Sequence, residues 1–196
     1  MKKLIGPKKY FKLNTAVFIS GTGSNLENLL KFSLLKESPI EVVYVISNNT
    51  KAKGLKFAKI YKIPFKIYKL INKEKDEKKI LSDLKKKKIN LICLAGFMKI
   101  LSENFIKKFN GKILNIHPSL LPKYKGLNTH KRVLENNDDM TGCTVHYVNH
   151  ELDGGEIIVQ KTVKVNAIDS VTTLADKVLE QENLIYPEAI KMVLRK

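Results

Sequence analysis

Asn115 and His117 stand two residues apart at the end of the apolar run Lys112 to Ile116, directly ahead of Pro118-Ser119-Leu120-Leu121-Pro122. Alternation along a strand points such residues to the same side. A carboxamide and an imidazole therefore face one cavity beside a proline-stiffened loop. The pair suits a reaction that develops an oxyanion, because a carboxamide can donate a hydrogen bond to it and an imidazole can stabilise or protonate it. Asp153, within Glu151-Leu152-Asp153-Gly154-Gly155, is the carboxylate available to hold the imidazole's charge and orientation. His130, His146 and His150 have no comparable setting and read as satisfied polar residues.

A second constellation is Gly21-Thr22-Gly23-Ser24-Asn25, between the apolar run Thr15 to Ser20 and leucines at helical spacing, Leu26, Leu29, Leu30 and Leu34. Backbone N–H groups at the start of a helix hold phosphate without a strong side-chain charge. Gly23, Ser24 and Asn25 are the candidate ligands. The string is neither the dinucleotide fingerprint nor a P-loop, and glycines at such turns also serve positive φ alone. Ser24 precedes Glu27 by three residues, which predicts a capping box and a helix starting there.

The elements that must position these residues alternate. Strands are expected at Glu41 to Ser47, Phe65 to Tyr68, Ile89 to Leu94 and Lys112 to Ile116, with helices at Gly54 to Lys62, Glu74 to Lys87 and Ser102 to Phe109, the last capped by Ser102. Strands that are apolar on both faces and separated by helices predict an α/β fold with a mostly parallel central sheet and helices on both faces. Cys143 to Val148 and Glu156 to Val165 form two further strands, an antiparallel C-terminal part, and Val171 to Leu194 a closing amphipathic helix bearing Pro187. Pro118 to Thr129 reads as an ordered loop.

The 196 residues, 43% of them hydrophobic, suffice for one core. A basic extension is expected at 1–14 and a single domain at 15–196. No stretch approaches the ~18 apolar residues of a membrane span, and Met1 to Asn14 lacks the apolar run of a secretory signal. Cys93 and Cys143 sit in apolar runs without metal-site or redox spacing and read as buried thiols of a cytoplasmic protein. The net charge of +17 comes almost wholly from lysine, since Arg132 and Arg195 are the only arginines. Those lysines are spread over every expected helix, which argues against a nucleic-acid-binding module. A metal hydrolase built on His117, His146 and Asp153 lacks the spacing that pins two ligands on one element, so no metal is expected.

Four blocks, Gly21 to Asn25 (GTGSN), Leu94 to Leu101 (LAGFMKIL), Asn115 to Pro122 (NIHPSLLP) and Glu151 to Gly155 (ELDGG), resemble the phosphoribosylglycinamide formyltransferase family in order and spacing. The resemblance implies a Rossmann-like formyltransferase fold. It implies that the amine of glycinamide ribonucleotide attacks the formyl carbon of 10-formyltetrahydrofolate, a co-substrate, giving formylglycinamide ribonucleotide and tetrahydrofolate in purine (IMP) biosynthesis. In that reading Asn115 and His117 contact the formyl oxygen, and Asp153 holds the imidazole protonated. The nucleotide lies on Gly23, Ser24, Asn25, Pro118 and Glu182, and the folate against Met98, Lys99, Ile100, Leu101 and Asn115. Ile100 and Leu101 also fit a core role. Lys99 departs from the family, where arginine is common, and cannot reproduce a planar bidentate grip.

The same blocks occur in methionyl-tRNA formyltransferase and formyltetrahydrofolate deformylase, so the catalytic residues alone leave the acceptor open. Those relatives carry an added domain, whereas this chain has length for the catalytic domain only, acting as a monomer or homodimer.

Overall fold

The computed structural model describes residues 12–194. Strand β1 (Leu13–Ile19) shows how the sheet is buried on both sides: Val17 and Ile19 enter one apolar cluster, Ala16 and Phe18 the other. After β1 come α1 (Ser24–Leu34), β2 (Ile40–Ser47), α2 (Leu55–Ile60), β3 (Phe65–Ile67), α3 (Lys73–Lys86), β4 (Leu91–Leu94), α4 (Glu103–Lys108) and β5 (Lys112–His117). The chain closes with α5 (Thr129–Glu135), β6 (Met140–Tyr147), β7 (Ile157–Lys164) and α6 (Val171–Leu194).

The seven strands lie in the order β3-β2-β1-β4-β5-β6-β7. The first five are parallel, and β6 and β7 are antiparallel additions. Helices α1, α2, α5 and α6 supply Leu26, Leu29, Leu55, Val133, Leu174 and Ile190 to one face. Helices α3 and α4 supply Ile80, Leu84 and Phe105 to the other. The α/β expectation, mostly parallel with an antiparallel end, is what the chain adopts.

Three local expectations are corrected. The sheet begins before Thr15: Leu13 and Asn14 pair with Ile40 and Glu41, so they belong to β1, while residues 1–11 of the expected extension lie outside the described residues. Ser24 does not cap α1. Gly23 takes the N-cap position at φ 81, no side chain caps it, and Glu27 pairs instead with Lys31 at 2.8 Å. A glycine-supplied left-handed turn has displaced the capping box. Thr129, counted in the loop, opens the short helix α5. The cap expected on α4 is present, with Ser102 accepting from the Phe105 N–H at 3.0 Å.

Pro187 lies within α6. It has no N–H to give the carbonyl four residues earlier. That carbonyl, of Asn183, accepts instead from Asn28 Nδ2 of α1 at 2.7 Å. Beside it, Glu182 is turned toward α1, and Tyr186 Oη, fully buried, reaches the carbonyls of Leu94 at 3.0 Å and Leu114 at 3.1 Å. The closing helix is thus tied to the end of β4 and the middle of β5.

Candidate active site

The carboxyl ends of the parallel strands share one edge of the sheet, where ligands bind in open α/β folds. From β1 this edge receives Gly21 to Asn25, from β4 Ala95 to Leu101, and from β5 Asn115 and His117. Antiparallel pairing then sets His146 of β6 directly opposite Asn115, and Thr144 opposite His117.

Asp153 joins the strand residues from the loop between β6 and β7. Its Oδ2 lies 3.4 Å from His117 Nδ1 and accepts the Gly126 N–H at 2.8 Å. Its Oδ1 lies 3.4 Å from Asn115 Nδ2 and 3.7 Å from His146 Nε2. Asp153 is held at φ 48, a left-handed conformation that costs a non-glycine residue energy and recurs at functional sites. The side chains of His117 and Asp153 are only 6% and 8% exposed, so water screens the pair weakly.

The other ring nitrogen of His117, Nε2, lies 2.9 Å from the Tyr124 carbonyl. A carbonyl only accepts, so Nε2 carries a hydrogen, and Nδ1 faces a carboxylate. Both nitrogens therefore face acceptors. Tyr124 itself is fixed by its hydroxyl on Asp138 at 2.9 Å and by the Arg132 guanidinium over its ring. The loop is pinned to β6 by Thr144 Oγ1, which donates to the Ser119 carbonyl at 2.6 Å and accepts the Leu121 N–H at 3.1 Å. Pro118 is half-buried at the start of this loop.

At the glycine turn, Gly23 lies against Gly54, and a side chain at either would strike the other's backbone. Asn25 Nδ2 donates to Glu182 Oε2 at 2.6 Å, bringing two of the expected nucleotide residues together. Asn25 Oδ1 is buried without a partner. Burial pushes the Glu182 carboxyl up to about 7 against the hydrogen bond from Asn25. The buried thiols of Cys93 and Cys143 are pushed up by desolvation to about 12, which leaves them unreactive.

The Leu94 to Leu101 segment divides. Met98 and Ile100 are 63% and 59% exposed, whereas Leu101 is buried in the core with Phe105. Met98 and Lys99 border an open pocket of about 490 Å³ with Ser20, Asn48, Asn49 and Thr50, beside the triad rather than on it. Of the expected folate residues, Met98, Lys99 and Ile100 are accessible, and Leu101 is a core residue. Among the described residues, no set of three or more His, Cys, Asp or Glu side chains is arranged to hold a metal ion.

One further histidine belongs to the site. His146, read from the sequence as an ordinary satisfied polar residue, is 2% exposed and places Nε2 3.1 Å from Asn115 Nδ2. The signal that finds it is register: once β5 and β6 are known to pair, Asn115 and His146 are opposite residues on one face.

The formyl transferase family model matches residues 13–190. The phosphoribosylglycinamide formyltransferase of Haemophilus influenzae is 44% identical over 179 residues, covering 90% of this chain and 84% of that protein. The trifunctional purine biosynthetic protein adenosine-3 of Gallus gallus is 45% identical over 185 residues, 93% of this chain, which spans only 18% of that longer protein. The crystal structure of phosphoribosylglycinamide formyltransferase from Anaplasma phagocytophilum superposes with a TM-score of 0.88 at 43% identity, covering 93% of this chain and 87% of that one.

Proposed function

Because the chain belongs to the formyl transferase family, and within it to the phosphoribosylglycinamide formyltransferases, we propose that it moves the formyl group of 10-formyltetrahydrofolate onto the amine of glycinamide ribonucleotide. The products are formylglycinamide ribonucleotide and tetrahydrofolate, a step of purine biosynthesis. The observation that carries this reading is the convergence of Asn115, His117 and Asp153 at the carboxyl end of β5.

The amine nitrogen adds to the formyl carbon, and negative charge gathers on the formyl oxygen. The Asn115 amide and the His117 imidazolium are the donors for that charge. Losing one such preorganised donor typically lowers turnover 10²–10³-fold. The two donor contacts to Asp153 are long, 3.4 Å each, and a long hydrogen bond is the one a developing oxyanion can share or replace. Asp153 keeps the imidazole oriented and its positive charge compensated. The attacking amine gives up a proton, N10 of the departing folate receives one, and the carbon–nitrogen bond to the folate breaks. The His117 imidazolium gives a proton toward N10 and, once neutral, takes up the one that the amine loses.

Asn25 and Glu182 form the wall on which the nucleotide rests, with its phosphate on the N–H groups of Gly23, Ser24 and Asn25 and Pro118 at its reacting end. The folate lies along Met98, Lys99 and Ile100, and one of its carboxylates is a partner for Lys99. The acceptor is tested by following folate absorbance with glycinamide ribonucleotide, with no acceptor and with charged initiator tRNA. Turnover that requires the ribonucleotide supports the reading. Hydrolysis without acceptor, or formylation of the tRNA alone, would replace it with one of the two related activities.

A further inference from the structure

The geometry assigns His146 a part that the triad alone leaves open. Its Nδ1 lies 2.8 Å from the carbonyl oxygen of Tyr147. A carbonyl has no hydrogen to give, so Nδ1 carries one. In a neutral ring Nε2 is then a bare lone pair, and its partner at 3.1 Å, Asn115 Nδ2, must be the donor. The second acceptor near Nδ2 is Asp153 Oδ1 at 3.4 Å. A flipped carboxamide would set its oxygen against two acceptors at once, so only one orientation is consistent with the site.

We propose that His146 is a positioning residue: with Nδ1–H committed to the Tyr147 carbonyl, Nε2 is a fixed acceptor that decides which way round the Asn115 carboxamide lies. The shorter contact holds the amide nitrogen in place, and the longer one, to Asp153, leaves the second N–H free to turn to the formyl oxygen. His146 is only 2% exposed, and this burial lowers its pKa and favours the neutral ring, helped by the charges of His117 and Lys125 and outweighing the Tyr147 hydrogen bond and the Asp153 carboxylate, which both pull the other way. The Tyr147 carbonyl lies close against Gly155, where a side chain would collide with that oxygen. The second glycine of the Asp153-Gly154-Gly155 turn thereby acts on Asn115 through two hydrogen bonds. The kinetic consequence rests on the formyl-transfer reading, whereas the tautomer does not.

Two measurements on the full chain test it. ¹⁵N NMR of the imidazoles at neutral pH, with His146 identified by the signal missing from a His146→Gln variant, is expected to show a neutral ring protonated on Nδ1. A ring protonated on Nε2, or on both nitrogens, overturns the proposal. In the formyl-transfer assay, His146→Leu is expected to lower kcat by about 10²-fold, the usual cost of a misplaced catalytic group, while both KM values stay within about twofold. His146→Gln, which can place an acceptor oxygen near the lost Nε2, restores most of the rate. In an Asn115→Ala background His146→Leu costs nothing further. An equal loss in both backgrounds, or a raised KM with unchanged kcat, overturns it. A wild-type chain that turns over no folate refutes the functional reading, and the NMR result still decides the tautomer.

Discussion

Asn25 and Glu182, 157 residues apart in the chain, are joined by a hydrogen bond of 2.6 Å from amide to carboxyl. The bond connects the first turn of α1 to the middle of α6, next to the bond from Asn28 to the Asn183 carbonyl that Pro187 leaves without a helical donor. It also places a buried acid where an ordinary carboxylate would be ionised. Glu182 is 7% exposed, and its folded-state pKa of about 7 lies above the unfolded value of 4.5.

That difference has a definite sign. Between pH 4.5 and 7 the folded chain holds a proton on Glu182 that the unfolded chain has released, so stability falls as pH rises through this window. The loss amounts to about 3 kcal/mol above the upper end. Glu182→Gln keeps an acceptor for Asn25 and removes the titration. Urea unfolding at about pH 5 and about pH 8 should show the wild type losing stability relative to the variant by roughly that amount. Parallel pH dependences in the two proteins would rule out a proton held by Glu182.

Tyr186 ties α6 to the sheet through one hydroxyl shared between the carbonyls of Leu94 and Leu114. Tyr186→Phe keeps the packing and deletes that link, so it should cost about 1–2 kcal/mol in chemical denaturation. Because Leu94 precedes the segment proposed to hold the folate and Leu114 precedes Asn115, a smaller fall in kcat should accompany it. Unchanged stability would show that the hydroxyl's bonds are made equally well by water.

Gly155 is confined by the Tyr147 carbonyl, and the turn holding Asp153 has no room to retreat without moving that residue. Gly155→Ala is expected to destabilise the fold by roughly 1–3 kcal/mol and to reduce turnover by more than the loss of folded protein explains. Thermal unfolding followed by kinetics on the folded fraction separates the two effects. Wild-type turnover per folded molecule would contradict the role given to this turn.

Much of the architecture is legible in the sequence because its strands are apolar on both faces. Runs such as Leu91 to Leu94 are too short for a helix and read as strands, and the helices between them repeat every three to four residues. Asn115 and His117 could be placed for a similar reason, since strand alternation alone puts them on one side. What stayed hidden depends on neighbours distant in sequence. The Ser24 and Glu27 spacing read as a capping box, yet Gly23 against Gly54 imposed a left-handed turn that no local pattern records. Ile100 and Leu101 are equally apolar, and only tertiary packing, which puts Leu101 in the cluster that contains Phe105, separates the buried one from the exposed one. His146 became part of the site through strand pairing, and α5 was obscured by the prolines and glycine that precede it.

The central claim is that Asn115, His117 and Asp153 act as one unit on the formyl oxygen. Its most direct test is kcat, with both substrates saturating, for the wild type, His117→Ala, Asp153→Asn and the double variant, with folding checked by circular dichroism. Residues that work as a unit are strongly non-additive. Each single variant should therefore lose about 10²–10³-fold or more, and the double variant little beyond the worse single. Full turnover in Asp153→Asn, or losses that multiply in the double variant, would contradict the account.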